Sequence, residues 1–565
     1  MAIDRDHLTR LLLRGLLILV VSVVLAAPLA VAWGIGRAEI TDYLGANQTR
    51  IAIDYTGETR IDLGPLGNAY LPLAYGPIGL TITVGGLVAP TGGQSLLSTA
   101  TLQSYLNLYN DPGEAIAGIR DSLVDDVLRH TVIAEVVLVL IMIGWTQRRW
   151  FLSGRLVRMS RARHGVLAYL VTMIIVGTVV IAPPAGPPAP RYPVTIADGT
   201  RFAGLTVDSP LLADLLDRGV TGLRRMAQRQ NAAIDEYVRQ TDDELMAQSD
   251  RWPVPGPGEE LIFGFSDLHC NLAMTEFWTR LVQVTHPTLV FSAGDDTLNG
   301  TATEKTCVAG ERAIARGLPF VDIGGNHDSA LTEKQMKAAG ATVLDGKVTD
   351  VAGISFLGDD DPEYNPPFST TRIAERKETE EELGQRMIKT ATGRNVDVIM
   401  LHQPRAARVV AEQPNPPAKL ITWGHLHSQE GPQVILHDDG SWTVTMQFGT
   451  AGGVAAPTIT SFSTPFSPPR KSADGYFLYR DQATGLITAV QPVHCLPDAS
   501  VIIDDKIPTG DLAALPPQTR SRLGGDERQQ NASPAGTPTA TPASATPIIT
   551  SSPASSASGG SSSRR

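Results

Sequence analysis

Residues 11–35 are apolar almost without interruption; only Arg14 and Ser22 break the run. A stretch of that length crosses the hydrocarbon core of a bilayer. Arg5, Arg10 and Arg14 precede it, which places its start on the cytoplasmic side. Ala30-Val31-Ala32 resembles a small-residue cleavage site, so a cleaved signal peptide is the alternative, and the chain beyond residue 35 is exported in either case. Residues 132–145 form a second apolar run containing Glu135, and residues 166–181 a third, ended by Pro183-Pro184. Between them lie Arg148, Arg149, Arg155, Arg158, Arg161 and Arg163 with no acid, the signature of a short cytoplasmic loop. The expectation is therefore three spans, with the chain after about residue 183 outside. Arg129 and His130 put the outer boundary close to Glu135, so that carboxylate is expected at the interface or against a neighbouring helix.

Composition shows how unevenly the rest is distributed. Mean hydropathy is -0.01 and 42% of the 565 residues are hydrophobic, values that exclude a wholly disordered chain, a collagen or a small disulfide scaffold. The formal net charge of -11 argues against a general nucleic-acid binder. Beyond residues 1–35, residues 36–130 alternate apolar and polar in places and carry Gly and Pro breaks, a small exported β-rich module with no catalytic cluster. Residues 131–182 hold the second and third apolar runs. Residues 183–258 read as a hairpin around Asp198-Gly199, a charged helix over 209–249 and a Pro/Gly linker. A new domain runs from 259 to 507. From 508 to 565 Ser, Thr, Pro, Ala and Gly dominate, a composition that reads as a disordered tail.

Within 259–507, short apolar runs alternate with helical stretches, which predicts a layered α/β domain. Strands are expected near 261–265, 288–291, 319–323, 351–357, 396–401, 420–423, 442–448, 476–479 and 486–490. Helices are expected over 272–285, 304–316 and 372–392. Polar blocks stand at the C-terminal ends of these strands: Asp267-Leu268-His269, Gly294-Asp295, Gly325-Asn326-His327-Asp328, His402 and Gly424-His425-Leu426-His427. Loops at strand C-termini converge on one crevice in α/β sheets, so residues distant in sequence meet there. Asp, Asn and His donors suit Mn, Fe or Zn better than Ca. A two-metal site needs one ligand shared by both ions, and Asp295 is the natural choice.

These five blocks, in this order, resemble the calcineurin-like metallophosphoesterase superfamily. Five of the eleven histidines fall in them. The resemblance implies a two-sheet β-sandwich flanked by helices, here preceded by three transmembrane helices and the small β-rich module. It implies two divalent or trivalent transition-metal ions. Asp267, His269 and His427 would hold one, Asn326, His402 and His425 the other, and Asp295 would bridge them. His327 would be the catalytic group beside the phosphoryl transfer, with Asp328 orienting its ring. The activity implied is metal-dependent hydrolysis of a phosphate ester by a membrane-anchored enzyme facing outward. Alternatives are a nucleotide diester or pyrophosphate hydrolase of the same fold, or an envelope assembly or receptor protein with a structural metal site. Acids outnumber bases in the 259–500 stretch, so bound metal would have to supply the positive charge that attracts phosphate.

Several neighbours of the blocks have two readings. Asp296 tunes a ligand or caps the next turn. Asn271 supplies an amide to the site or caps the helix at 272. Cys270 is a thiolate ligand or one half of a disulfide; the other cysteines are Cys307 and Cys495, and one pair leaves one thiol over. Asp359, Asp360 and Asp361 line a cleft or form a solvated turn. Arg405 contacts phosphate or is an exposed helix-start arginine.

Overall fold

The computed structural model describes residues 5–44, 47–71, 78–87, 112–152, 190–198, 203–365, 373–374, 377–454 and 468–523. Helix α1 (Arg5–Arg37) contains the first apolar run, and α2 (Pro112–Leu152) contains the second. Both are long and apolar enough to cross a membrane over Leu12–Arg37 and Ile116–Gly144. Many of their Leu and Val side chains are exposed, with Leu12, Leu16, Val132 and Leu140 all more than half exposed. The two helices pack on each other. A side chain at Gly34 would strike Thr131 Oγ1 at 2.0 Å, so the missing side chain lets the helices come close there. Glu135 sits in α2 with both carboxylate oxygens buried and lacking a hydrogen-bond partner among the described residues.

The strands Glu39–Leu44, Asn47–Asp54, Gly79–Leu87, Thr59–Asp62 and Asn68–Leu71 form one sheet of a β-rich N-terminal module. Thr206–Val207 and Tyr192–Pro193 extend its sheet to seven strands. Helix α3 (Pro210–Ala247) follows, with the Ser209 hydroxyl accepting from Leu212 N–H and Pro at the first helical position.

The C-terminal unit holds two further sheets. One has eight strands in the order Thr342–Val343, Phe320–Asp322, Leu289–Ser292, Glu259–Phe265, Ala473–Asp481, Ile487–Cys495 and Val501–Ile503, with Ile507–Pro508 pairing to the long strand Ile487–Cys495. The other has six, in the order Thr349–Val351, Ile354–Gly358, Val396–Met400, Ala418–Trp423, Trp442–Gln447 and Glu430–Leu436. Ile262, Phe291 and Tyr476 of the first pack against Phe356, Leu420 and Val444 of the second in one buried cluster. Burying each such side chain contributes roughly 1.5–3 kcal/mol. Helix α4 (Leu272–Thr285) places Phe277 and Trp278 on the outer face of the eight-stranded sheet, beside Phe263 and Phe477. Helices α5 (Lys305–Ile314) and α6 (Ala330–Ala338) lie on the same side of the unit as α4. On the outer face of the six-stranded sheet, Leu383 of α7 (Glu380–Ala391) and Val410 of α8 (Pro404–Ala411) meet Ile399 and Ile421. The parallel central strands are buried on both faces, which is why they read as continuous apolar runs.

Two architectural expectations are corrected. The described residues form three sheets, of seven, eight and six strands, and a two-stranded ribbon, where a two-sheet sandwich was expected. The added sheet is the N-terminal module, enlarged because the hairpin at 192–207 pairs with its Asn68–Leu71 strand instead of standing free. Two helices, not three, are long and apolar enough to cross a membrane among the described residues; the run at 166–181 lies outside them. Part of the stretch expected as a tail is ordered. Leu515 is buried against the inter-sheet core, and α9 (Pro517–Arg522) follows it. Residues 524–565 lie outside the described residues.

Candidate metal centre

The site forms where the parallel strands of both sheets end. The strand Glu259–Phe265 delivers Asp267 and His269, Leu289–Ser292 delivers Asp295, and Phe320–Asp322 delivers Asn326 and His327. From the second sheet, Val396–Met400 delivers His402 and Ala418–Trp423 delivers His425 and His427. The backbone is strained here. Of ten non-glycine residues with positive φ among the described residues, six are Asp267, His269, Cys270, Asp295, His425 and His427. Such conformations cost about 1–3 kcal/mol each and persist only where the surroundings impose them. Asp267 N–H donates to Gly294 O at 2.8 Å, His269 N–H to Asp295 O at 2.9 Å and Cys270 N–H to Asp296 O at 2.9 Å. Gly294 has φ +92°, and a side chain there would strike Gly325 N at 2.7 Å.

These turns assemble two donor groups. Asp267, His269, Asp295 and His427 form one, and Asp295, His402 and His425 the other, each with its ligand atoms within 4.8 Å of one another. Asp295 belongs to both. Its Oδ2 lies 3.5 Å from His269 Nε2 and 3.2 Å from His402 Nε2. Asn326 Oδ1 joins the second group, 2.7 Å from His425 Nδ1 and 3.2 Å from His402 Nε2.

Chemistry and burial both fit a pair of cations. The Nδ1 atoms of His269, His402 and His427 each meet a backbone carbonyl, of Thr297, Ala293 and Val454 respectively. A carbonyl accepts only from N–H, so each ring turns its Nε2 lone pair inward. His269 Nε2 and His427 Nε2 consequently face each other at 3.0 Å, close enough to share a proton or to flank a cation. Burial pushes His269 down to about 3, leaving that ring neutral. Burial raises the Asp267 carboxyl, but the facing His427 and His402 outweigh it and hold it below its ordinary range. Asp295 is held lower still against its burial, by His402 above all. In turn Asp295 lifts His402, and Asp267 lifts His427, against the desolvation of both rings. Asn326 is buried, and its Nδ2 has no hydrogen-bond partner among the described residues.

His327 stands at the rim of these groups. Its backbone N–H donates to Asp295 Oδ1 at 2.9 Å, and its ring meets that of His269 edge-on with centroids 5.0 Å apart. Its Nδ1 donates to Leu298 O at 2.8 Å, which leaves Nε2 directed elsewhere, 3.4 Å from Asn365 Nδ2. Asp328 therefore does not orient the ring through Nδ1. Its carboxylate instead accepts from the N–H groups of Gly325, Asp296 and Thr297 and from Thr297 Oγ1, fixing the turn that carries Asp295.

The family model described as calcineurin-like phosphoesterase matches residues 261–429, the stretch that supplies every one of these donors. The chain contains a calcineurin-like phosphoesterase domain. No curated protein matches it. Solved structures similar to this chain include an archaeal phosphodiesterase, at 12% identity over 39% of this chain and 97% of that one, with a TM-score of 0.23. The protein TT1561 of Thermus thermophilus is 11% identical over 40% and 96%, with a TM-score of 0.27. A metallophosphoesterase from Sphaerobacter thermophilus is 13% identical over 47% and 99%, with a TM-score of 0.19.

The neighbours of the blocks now have places in the phosphoesterase domain. Asn271 caps α4, its Oδ1 accepting from Met274 N–H, while its Nδ2 donates to Gly452 O at 2.6 Å. Cys270 is disulfide-bonded to Cys307, and Cys495 is a buried free thiol. Asp296 caps nothing. It accepts from Ser292 Oγ and abuts Glu311, and burial holds Asp296, Glu311 and Asp322 well above the ordinary carboxyl range. Asp361 accepts from Gln403 Nε2 at 2.6 Å beside His402, whereas Asp359 pairs with Arg386. Arg405 is exposed and faces Glu380, not the metal centre. Residues absent from the sequence expectation are Leu298, Tyr364, Asn365, Gln403 and Lys471, whose ammonium donates to His427 O. The position of Gln403 next to His402 was the one available signal; backbone acceptors leave none.

Proposed function

We propose that this chain is a membrane-anchored, metal-dependent phosphoesterase whose catalytic domain lies outside the cytoplasm. One observation carries the reading: two inward-facing donor groups share Asp295, with His327 beside them. Asp267, His269 and His427 would hold one ion, Asn326, His402 and His425 the other, and Asp295 both. Nitrogen and oxygen donors of this kind suit Mn, Fe or Zn. Two such cations supply positive charge against phosphoryl oxygens and acidify water.

The chain's own residues do the rest. The Leu298 carbonyl fixes a proton on His327 Nδ1, so Nε2 is the atom that delivers a proton to a departing alkoxide. Asp328 holds the Asp295 turn through four donors, so the shared carboxylate keeps one orientation. The outward placement is supported by the Cys270–Cys307 disulfide, which persists in oxidising compartments. Anchoring is supported by the exposed apolar surfaces of α1 and α2.

The test is hydrolysis of an alkyl phosphate by purified full-length protein reconstituted with Mn, Fe or Zn, alongside Asp295→Asn and His327→Ala. Asp295→Asn should lose bound metal by mass spectrometry, with an affinity loss beyond the ~10–100-fold typical of an outer partner. His327→Ala should keep its metal and lose about 10²–10⁴-fold in kcat. Undiminished turnover in both variants would sink the assignment.

A further inference from the structure

The loop after Asp295 connects two places that the proposed reaction does not by itself link. At one end it supports His327. Leu298 O accepts from His327 Nδ1, Asn299 O accepts from Tyr364 Oη at 2.6 Å, and Gly300 O accepts from Ser329 Oγ at 2.6 Å. At the other end it rests on the N-terminal module. Ala302 N–H donates to Asp42 Oδ2 at 3.1 Å, and Asp42 is itself buried. Lys305 Nζ meets Asp121 Oδ2 of α2 at 3.0 Å, and Lys334 of α6 pairs with Asp125 one turn along. Gly118 of α2 lies flat against the turn: a side chain there would strike Ala302 O at 2.0 Å.

Glu304 joins the two ends. It is buried at the start of α5, and its carboxylate turns back into the loop. It accepts from Leu298 N–H at 3.1 Å, Asn299 N–H at 3.2 Å, Thr301 N–H at 2.9 Å and Thr301 Oγ1 at 3.1 Å. One side chain thus satisfies the backbone donors of the residues whose carbonyls hold His327 and Tyr364. Charge-assisted bonds of this kind are the strong ones, and a buried carboxylate with four donors has one stable orientation.

We propose that the N-terminal module and the outer turns of α2 belong to the catalytic assembly: they hold the 297–304 loop, and through Glu304 as positioning residue they set the place of His327. This rests on the reading of His327 as the proton donor to the leaving group. The membrane helix is then more than a tether. Any shift of α2 against the phosphoesterase domain moves the loop whose Leu298 carbonyl holds the acid.

The experiment uses full-length protein in detergent with both metals loaded. An aryl phosphate has a leaving group that departs unprotonated, and an alkyl phosphate one that needs the acid. Glu304→Gln and Asp121→Lys should each lower kcat on the alkyl ester about tenfold or more, with a much smaller loss on the aryl ester and with KM and metal content unchanged. Adding Lys305→Asp to Asp121→Lys should restore the alkyl rate, because the pair is re-formed with its charges exchanged. Equal losses on both esters, or none, would overturn the proposal. Hydrogen exchange gives an activity-independent reading: residues 297–300 should exchange faster in both single variants, and unchanged protection there would also overturn it. If His327→Ala leaves the alkyl-to-aryl ratio unaltered while the loop exchange still rises, the role given to His327 fails and the coupling of module to loop stands.

Discussion

A side chain at Gly424 would have its first carbon 2.0 Å from Ser266 Oγ and 2.3 Å from Asp267 Oδ2, both in the fully buried floor of the site. Asp267 is held in place, because His425 N–H already donates to both of its oxygens. Gly424→Ala should therefore push Asp267 off its position and empty the group formed with His269 and His427. Metal analysis should find the bound content close to halved, whereas a variant that retains two ions would contradict the close approach. That glycine was legible in the sequence because it stood inside a Gly-His-x-His block. The side-chain donors were legible for the same reason: five such blocks in one order at strand ends outweigh the turn and cap roles that single Asp and Asn residues, such as Asn271, commonly play. The carbonyls of Thr297, Ala293, Val454 and Leu298 were not, since every residue carries one and only the fold decides where it points. Asp328 shows the same limit. Its type and position were read from the sequence, but its partners are backbone N–H groups of the Asp295 turn.

The elements around the site are tied at one covalent point. The Cys270–Cys307 bond joins the residue after His269 to the first turn of α5, across a sequence separation of 37. Closing a loop of that size is worth about 4 kcal/mol in the chain-entropy account. Three cysteines and no spacing signal left the pairing open in the sequence, and the topology settles it by packing α5 beside α4. Cys307→Ala should lower the melting temperature and weaken metal binding, because His269 then rests on a loop held by hydrogen bonds alone. Calorimetry and metal titration of the variant against the oxidised protein would show both effects; unaltered metal affinity would mean that the His269 turn needs no such tether. The central strands that deliver the site were readable as buried apolar runs. The short helices Ala330–Ala338 and Pro404–Ala411 and the edge strands Thr342–Val343, Val501–Ile503 and Glu430–Leu436 were not, being too short or too exposed to carry a continuous apolar signal, and the helix expected over 372–392 spans only Glu380–Ala391, with Ile373–Ala374 in a strand.

At the scale of the whole molecule, the N-terminal module and the phosphoesterase domain touch through Asp42 and Ala302, through Asp121 and Lys305, and through Asp125 and Lys334. Burial pushes the Asp42 carboxyl up from 3.8 to about 6, against the N–H groups of Tyr43 and Ala302 that favour its charge. A raised carboxyl pKa means that the folded, docked state prefers the proton. Its contribution is complete below about pH 3.8 and is lost as the pH rises to about 6, beyond which it stays constant. Asp42→Asn should flatten the fall in melting temperature between pH 4 and 6; an equally steep fall in the variant would assign that slope to other groups. The same contacts constrain topology more firmly than hydropathy did. Apolar runs predict which segments can enter a bilayer, but they do not say which exported segments meet. The module and the domain share an interface, so if α1 and α2 cross a membrane, both units lie on one side of it. Single cysteines at exposed Leu66 in the module and exposed Val254 before the domain, in a chain whose buried Cys495 is left in place, should both react with a membrane-impermeant maleimide from the same face of sealed vesicles. Labelling from opposite faces would separate the two units and remove the physical basis for any coupling between α2 and His327.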